Sequence, residues 1–547
     1  MIAAGEDLAG AWFERLSLED KVAQLMIPRP VPGLAPREYP DRLGAGGIIV
    51  DRHTYSGPRQ MAEYVAEAQR AARERNGVPL FVCCDQEGGH NRFTHTGATE
   101  VPPSMGVAAS GDPSAATDAA ALLASELVAM GVNWNFAPVV DVNTNPANPI
   151  IGVRAYSDDP LMVSAFATAA IHAYQAAGLL ACAKHFPGHG DTALDSHVAL
   201  PALPHDRARL EAVELPPFRA AIDAGVATIM TAHLRLPALD LERVGTLSAP
   251  IVSGLLRGEL GFDGMVVTDA LEMAAIADEW EEPEAVVEAI VAGCDTLLTG
   301  RVPEQNSRVH SALVQAVRSG RISERRFEDA LRRVLRAKAS YLAAAVDPDP
   351  ERAAREVGSE PHRQRALELA RRSITVVRDQ PRALPLPRDL GERLVVLSPS
   401  GTPRSHIELS ASGPLALGQQ IGRFAPGALE VQVEHPLSAA GRAEVARAVR
   451  GARVVLVGTL NAVLDPDQIA LLEWLRDEVA AGARLVVVAL RTPYDLLRAP
   501  WLPTYVCAYT SVAPVAAATA EVIFGEQPPR GQLPVDLPGL YRRGHRL

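Results

Sequence analysis

Over roughly the first 300 residues, short apolar runs alternate with longer helical segments, and this alternation constrains the fold more than any other feature of the chain. The first run follows a capping-box-like start at Ser17 and ends at Pro28. Near-continuous apolar strands that alternate with helices indicate a parallel sheet covered on both faces. About eight such units predict an α/β fold of the (β/α)8 TIM-barrel type, with an open doubly wound sheet as the alternative. The further runs lie at residues 47–50, 79–84, 133–140, 179–183, 227–231, 264–268 and 295–298.

The character of the sequence changes after the last of these units. Residues 344–361 are rich in Pro, Asp, Glu and Arg, as is typical of a linker or of a segment that wraps around a domain. Beyond them lie five more apolar runs with helical segments between, without a dinucleotide-binding glycine loop or a Walker loop. We therefore predict a barrel over 1–343, a linker over 344–365 and a smaller α/β sandwich domain over 366–547.

Composition narrows the classes of partner. The 547-residue chain has a net charge of −12 and no basic run, which argues against nucleic-acid or anionic-membrane binding. Five cysteines without a Cys-x-x-Cys spacing favour buried free thiols in a reducing compartment. The first residues lack a basic segment followed by an apolar one, so we expect no signal peptide, and the sequence has no run of about 18 apolar residues. We predict a cytoplasmic protein that is a monomer or a homodimer.

Ionisable residues follow five of the apolar runs. In a parallel barrel, the carboxyl ends of the strands meet at one rim, where catalytic residues from several strands assemble. The alternative for any single position is a helix cap or a loop contact. The pattern as a whole predicts an active site at this rim, built from Asp85, Asp141, Lys184 with His185, His233 and Asp269.

Two carboxylates and a histidine suggest the chemistry. Asp195 lies two residues before His197, so its carboxylate could accept the Nδ1 proton and leave Nε2 to act as general acid and base. The alternative is a surface histidine beside an aspartate. Asp269 ends a strand, either as the N-cap of a helix starting at Ala270 or as a carboxylate that faces His197. A carboxylate opposite an acid/base group is the minimal equipment for double-displacement glycoside cleavage.

Other polar residues near these positions suggest ligand contacts. Asp85 stands before a glycine pair that permits close backbone approach, and Arg92 and Arg154 are candidate sugar clamps. A metal site including His185 and His189 is the alternative. The spacing of those histidines crosses a Phe-Pro-Gly segment that cannot be a helix face, so we predict no metal and no cofactor.

The segment 184–192, Lys-His-Phe-Pro-Gly-His-Gly-Asp-Thr, together with Asp-Ser-His at 195–197, closely resembles the signature of glycoside hydrolase family 3 β-N-acetylhexosaminidases in their two-domain form. Three further stretches, 85–89, 148–154 and 261–271, look like the same family. The resemblance extends more weakly through the second domain, where 524–526 and 531–535 look like that family's closing segment.

The resemblance implies a role for each matching residue. Asp269 would be the nucleophile that forms a glycosyl-enzyme, and His197 would be the acid/base with Asp195 as its partner. The substrate would be terminal β-linked N-acetylglucosamine in cell-wall muropeptide fragments, as in peptidoglycan recycling. The residues that would hold the sugar hydroxyls are Asp85, Arg92, Arg154, Lys184 and His185.

The sequence departs from the family pattern at one of these positions. The family commonly places its sugar-binding arginine eight residues after the aspartate that matches Asp85, whereas Arg92 comes seven residues after it. His90 and Asn91 replace the usual Arg-Val there. The functional alternatives that stay open are a phosphorylase with the same site, a β-glycosidase of broader specificity, and a non-catalytic sugar-binding protein.

Overall fold

A computed structural model describes residues 2–31, 33–195, 199–343, 345–380, 382–400, 416–479 and 482–547. The strands of its N-terminal region, up to residue 343, are β1 (Met26–Pro28), β2 (Gly47–Ile49), β3 (Phe81–Cys84), β4 (Gln86–Gly88), β5 (Asn91–Arg92), β6 (Trp134–Asn135), β7 (Cys182–Phe186), β8 (Thr228–Thr231), β9 (Met265–Val267) and β10 (Leu297–Thr299). They form three parallel sheets, with strand orders β1-β10, β2-β3-β6 and β7-β8-β9, and an antiparallel hairpin, β4-β5.

Backbone hydrogen bonds also join these three parallel sheets to one another. Gly46 N–H donates to the Met26 carbonyl at 3.1 Å, between β1 and β2. Leu180 N–H donates to Asn133 at 2.9 Å, next to β6 and β7, and Thr268 N–H donates to Thr296 at 3.1 Å, next to β9 and β10. The parallel strands are buried along their length, as their apolar sequences require. The predicted α/β class with parallel strands is confirmed.

Helices cover these strands. The first short one begins as predicted, with the Ser17 hydroxyl accepting the Asp20 N–H at 3.1 Å. The α-helices of the region are Ile2–Arg15, Leu18–Ala23, Glu38–Leu43, Pro58–Asn76, Ser104–Ala108, Ser114–Ala129, Pro160–Ala176, Arg207–Arg209, Pro216–Asp223, Ala274–Ala277, Glu282–Ala292, Pro303–Arg318 and Glu324–Leu342. Short 3₁₀ segments are Gly152–Arg154 and Gly245–Leu247, and π-helical segments are Leu210–Glu214 and Pro250–Glu259.

Two predicted boundaries at the strand ends are wrong. Lys184 and His185 lie inside β7 rather than after it, because their side chains find buried polar partners and need no exposed loop. The segment after Asp269 is not yet helical at Ala270, and the next helix begins only at Ala274. The reason is that Leu271 N–H donates to the Leu298 carbonyl at 3.2 Å, which ties this backbone to β10.

A separate sheet domain follows, which we call the C-terminal sheet domain. Its six strands have the order β11-β16-β15-β14-β12-β13, and all neighbours are parallel except β11 and β16. The sequence interpretation missed β11, although Thr375-Val376-Val377 is a β-branched run of the kind that favours strands. The strands are β11 (Thr375–Asp379), β12 (Leu394–Ser400), β13 (Leu429–Glu434), β14 (Val454–Thr459), β15 (Arg484–Ala489) and β16 (Thr504–Cys507).

Helices lie on both faces of this sheet, and each face has its own apolar core. The α-helices are Ala416–Phe424, Ala439–Val449, Pro466–Glu478 and Ala513–Ile523, with 3₁₀ segments at Gly391–Arg393, Ala462–Leu464 and Pro493–Leu497. Between the two regions lie the helices Pro350–Glu356 and Glu360–Ser373. All five cysteines are buried and free, as predicted.

The two regions share one of these cores. Met105, Ala109 and Val153 of the N-terminal region pack in the same apolar cluster as Tyr494 and Tyr509 of the C-terminal sheet domain. Val153 directly precedes Arg154, so the packing of the C-terminal sheet domain reaches the segment that carries a predicted sugar clamp. Among the described helices, none is long and apolar enough to cross a membrane.

Candidate active site

A cavity of about 1010 Å³ opens at the carboxyl ends of the parallel strands in the N-terminal region. Among the described residues, none beyond Arg301 lines it. Asp195 is not among the lining residues, and His197 lies outside the described residues, as do Ser196 and Val198. The cavity brings together six of the predicted site residues, which are Asp85, Arg92, Arg154, Lys184, His185 and Asp269.

Lys184 is the central cation of this cavity. Its side chain is only 2% exposed, and its Nζ lies 2.6 Å from Asp85 Oδ1 and 2.6 Å from Glu87 Oε1. Burial by itself lowers the pKa of Lys184, but the charges of Asp85 and Glu87 outweigh it and raise the pKa above its usual range. Lys184 is therefore a permanently charged donor that is fixed in place.

Glu87 is a site residue that the sequence interpretation did not select. Its carboxylate receives a bidentate pair from Arg154, with Nε at 2.8 Å and Nη2 at 2.9 Å, in addition to the contact with Lys184. Burial raises the pKa of Glu87, but the charges of Arg154 and Lys184 outweigh it and hold the pKa well below its usual range. Glu87 thus stays ionised and orients two cations, and its place beside Asp85 was the signal that could have identified it.

His185 is buried and is held in position by Asp141. The Asp141 carboxylate lies 2.8 Å from His185 Nδ1 and also accepts the backbone N–H groups of His185 and His189 at 3.2 Å and 2.7 Å. Because a carboxylate can only accept, Nδ1 carries a proton. In a neutral imidazole Nε2 is then an acceptor, and Arg154 Nη2 lies 3.3 Å from it.

The turn after β7 is fixed by packing and hydrogen bonds. A Cβ atom on Gly190 would lie 1.8 Å from the Val142 carbonyl oxygen, so only glycine fits at this close approach. His189 is buried, its Nδ1 lies 2.7 Å from Thr192 Oγ1, and its carbonyl accepts from Asn148 Nδ2 at 2.9 Å. Burial lowers the pKa of His189 to about 4, so this imidazole is neutral near pH 7.

Arg92 reaches the cavity from the β4–β5 hairpin despite its shifted spacing. Gln86 pairs with Arg92 and Gly88 with Asn91, with a register shift between Gln86 and Gly88, so the hairpin brings Arg92 back beside Gln86. Arg92 Nη2 lies 2.5 Å from Glu100 Oε1, and both side chains are largely shielded from solvent. The shorter spacing therefore leaves Arg92 among the lining residues.

Asp269 lines the same cavity from the end of β9. The Ala270 N–H donates to its Oδ1 at 2.8 Å, which limits the rotation of the carboxylate. The Ala270 carbonyl lies 3.0 Å from His233 Nε2, and His233 Nδ1 lies 2.8 Å from Thr246 Oγ1. His233, which follows β8, therefore fixes the turn that presents Asp269 to the cavity.

Asp195 lies in the loop after the β7 turn, directly before residues 196–198, which are outside the described ranges. It is partly buried, and its carbonyl accepts the Ala199 N–H at 3.1 Å. Earlier in the loop, Asp191 Oδ2 lies 2.5 Å from His205 Nε2. In the described ranges, no group of three or more His, Cys, Asp or Glu side chains is arranged to hold a metal ion.

The chemistry of the cavity follows from these contacts. Lys184, Arg154 and Asp85 present charged donors and acceptors to a space large enough for a sugar with an attached group. Such groups recognise hydroxyls through charge-assisted hydrogen bonds. Asp269 adds a carboxylate that can attack or stabilise an electrophilic carbon within the same space.

Known proteins are similar to this chain in sequence and in fold. The family described as "Glycosyl hydrolase family 3 N terminal domain" matches residues 17–337. A β-N-acetylglucosaminidase/β-glucosidase of Cellulomonas fimi is 31% identical over 484 residues, 84% of each chain. A β-hexosaminidase A of Pseudoalteromonas piscicida is 34% identical over 366 residues, which are 62% of this chain and only 61% of that relative. The solved structure of a glycoside hydrolase family 3 β-N-acetylglucosaminidase from Paenibacillus sp. is 36% identical with a TM-score of 0.87, covering 95% of this chain and 99% of that one.

Proposed function

This chain belongs to glycosyl hydrolase family 3, and from that premise we propose that it is a retaining exo-β-N-acetylglucosaminidase that hydrolyses terminal β-linked N-acetylglucosamine. The observation that carries the proposal is the cavity that gathers Asp269 with Lys184, Arg154 and His185. The relatives named β-hexosaminidase and β-N-acetylglucosaminidase support the choice of sugar.

Asp269 is the proposed nucleophile. It attacks the anomeric carbon to give a glycosyl-enzyme, which water then hydrolyses, so that configuration is retained. Its position at the end of β9, fixed by the Ala270 N–H, supports this role. A carboxylate held in one orientation loses little freedom when it reacts.

His197 is the proposed acid/base, with Asp195 as the carboxylate that orients it. In the first step the imidazolium protonates the leaving oxygen, and in the second the neutral imidazole takes a proton from water. The support is the Asp-x-His spacing and the family motif in which it stands.

The proposed sugar-holding residues act through their charge. Lys184 and Arg154 are buried cations kept in position by Glu87, and Asp85 accepts from Lys184 while remaining partly exposed toward the cavity. His185 is held by Asp141. Arg92 contributes from the hairpin side. Preorganised donors of this kind bind a sugar without first being ordered.

We also propose that the parallel strands close into a (β/α)8 barrel. The three parallel sheets contain eight strands, and the hydrogen bonds Gly46–Met26, Leu180–Asn133 and Thr268–Thr296 lie at their three junctions. Such closure would bring all carboxyl ends to one rim, in agreement with the cavity of about 1010 Å³ that opens there. A crystal structure with an open edge at one of these junctions would contradict it.

We also propose a natural substrate and a cellular location. Muropeptide fragments in the cytoplasm are the proposed substrate, and the five buried free thiols agree with a reducing compartment. A panel of muropeptides against chitobiose tests the first part, and cell fractionation tests the second. Preferential cleavage of chitobiose would contradict a role in peptidoglycan recycling.

The nucleophile is tested with an aryl β-N-acetylglucosaminide. Replacing Asp269 by Ala should lower kcat by at least about 10⁴-fold, because the glycosyl-enzyme can no longer form. Asp278→Asn, an exposed aspartate nine residues later, is the matched control and should keep wild-type turnover. An Asp269→Ala variant with near wild-type activity would exclude the assignment.

The acid role of His197 is tested by varying the leaving group. His197→Ala should lose about 10²–10⁴-fold with a poor leaving group, which needs protonation, and much less with an activated aryl group. The measurement is kcat/KM across a series of aryl glycosides. Equal losses for good and poor leaving groups would mean that His197 is not the acid.

The remaining alternatives predict different products. A phosphorylase would form sugar 1-phosphate in phosphate buffer, whereas the hydrolase releases free N-acetylglucosamine. A broader β-glycosidase, as the name of the Cellulomonas fimi relative suggests for that protein, would also cleave aryl β-glucosides. A non-catalytic sugar-binding protein would release neither sugar.

A further inference from the structure

The C-terminal sheet domain contacts the N-terminal region next to the β4–β5 hairpin. None of the described residues of the C-terminal sheet domain lines the cavity. Ala513, the first residue of the helix Ala513–Ile523, donates its N–H to Glu100 Oε2 at 2.9 Å. Ser511 Oγ forms a hydrogen bond with His90 Nε2 at 3.0 Å. Both contacts follow β16, at the carboxyl end of the C-terminal sheet.

Glu100 links this contact to the cavity. Its Oε2 accepts from Ala513, while its Oε1 lies 2.5 Å from Arg92 Nη2. Because both oxygens are used, the carboxylate cannot rotate without losing one partner. Arg92 is 15% and Glu100 24% exposed, so solvent screens this pair less than an ordinary surface pair. The orientation of the Arg92 guanidinium therefore depends on a backbone donor of the C-terminal sheet domain.

His90, in the turn of the β4–β5 hairpin, also contacts the C-terminal sheet domain. His90 is buried, and its pKa is held well below its usual range first by burial and then by the charges of Arg491 and Arg92. Arg491, which follows β15, stands in the wall of a small cavity of about 10 Å³ together with Glu87 and Arg154. The strand ends of the second sheet thus meet the segments that carry the sugar-holding arginines.

We infer that Glu100 is a positioning residue through which the C-terminal sheet domain fixes Arg92 for sugar binding. The inference rests on the proposed function, because it takes Arg92 to hold the sugar. A guanidinium oriented before the substrate arrives loses less conformational freedom on binding. The described residues of the domain therefore act on substrate affinity from outside the lining of the cavity.

The variant Ala513→Pro tests this inference because it removes the backbone N–H that donates to Glu100. Proline has no N–H and is tolerated at the first helical position, and the preceding Val512 has φ −63° and ψ 152°, which suit a residue before proline. Ala513 is exposed, so the ring has space. We expect KM for the aryl β-N-acetylglucosaminide to rise about 3- to 10-fold, with kcat changed less than about twofold, because binding of ground state and transition state weakens equally.

Two matched controls separate positioning from general damage. Ala513→Ser keeps the N–H and should keep the wild-type KM. Asp118→Asn removes an exposed ion pair with Arg372 of the connecting helix Glu360–Ser373, neither residue of which lines the cavity, and should leave KM unchanged. The second test variant, Glu100→Gln, keeps an acceptor for Ala513 but loses the charge that holds Arg92, and should raise KM to a similar extent.

The decisive measurement repeats both test substitutions in an Arg92→Gln background. If Glu100 acts through Arg92, neither should raise KM further there, whereas a purely structural role would give the same increase in both backgrounds. A wild-type KM in Ala513→Pro and Glu100→Gln, or full additivity with Arg92→Gln, overturns the positioning role alone. A wild-type chain that neither binds N-acetylglucosamine in calorimetry nor releases it overturns the proposed function, and the inference falls with it.

Discussion

Glu87 in the N-terminal region and Asp495 in the C-terminal sheet domain are both carboxylates shielded from solvent, yet their partners differ in kind. Glu87 contacts two cations, Arg154 and Lys184. Asp495 accepts from the Thr459 hydroxyl at 2.6 Å and the Val463 N–H at 3.0 Å, both neutral. The pKa of Glu87 is consequently held well below its usual range, whereas burial raises the pKa of Asp495 to about 6, which its neutral donors only partly offset.

The difference shows that burial alone does not mark a functional carboxylate. Glu87 fixes the positions of Lys184 and Arg154, which face the cavity. Asp495 holds together the turn Pro493–Leu497 and the end of β14, and it does not line the cavity. What separates the two is the charge of their partners and the direction in which those partners face.

The largest effect is expected from Glu87→Gln. The substitution leaves Lys184 and Arg154 shielded from water with one negative charge fewer, so we expect a loss of about 3–5 kcal/mol in the free energy of unfolding at pH 7. The KM for the aryl glycoside should rise as well, because both cations lose their orientation. Urea unfolding and steady-state kinetics measure the two effects.

The same carboxylate-to-amide change at Asp495 is the matched control for this experiment. A Glu87→Gln variant that is no less stable than wild type, or no more destabilised than Asp495→Asn, would show that the cation partners add nothing. Unchanged KM with lowered stability would show that Glu87 stabilises the fold without ordering the sugar-holding side chains.

A smaller effect on the free energy of unfolding, with the opposite dependence on pH, is expected from Asp495→Asn. Because the pKa of Asp495 is higher in the folded state than its usual 3.8, its contribution is full below pH 3.8 and is lost as pH rises through about 6. This loss amounts to roughly 3 kcal/mol, and Asp495→Asn should remove it from the stability profile between pH 4 and 7.

Glu87 gives the reverse dependence. Its folded-state pKa is lowered, so its contribution is present above about pH 4.5 and is lost as pH falls below that value. Urea unfolding at a series of pH values distinguishes the two residues. An Asp495→Asn profile that still falls between pH 4 and 7 would mean that another group is responsible.

Most of the fold could be predicted, because burial of apolar strands leaves a direct trace in the sequence. Sequence reasoning misses β11 because its β-branched run covers only Thr375-Val376-Val377 and the strand continues into the charged residues Arg378 and Asp379. The sequence predicts Lys184 and His185 after β7, because charged residues are seldom found inside buried strands. Their partners Asp85, Glu87 and Asp141 come from other strand ends, and no local pattern reveals these contacts.

The sequence by itself determined the α/β class, the separate C-terminal domain, the family, and the residues whose types and strand-end positions suggest glycoside chemistry. Only the tertiary structure decided which of them meet. It added Glu87 as the anion between Lys184 and Arg154, placed Arg92 in the cavity despite its spacing, and paired it with Glu100 and Ala513. The physical reason is that ion pairs and hydrogen bonds act over about 3 Å, and chain folding alone brings residues as distant as Glu100 and Ala513 within that range.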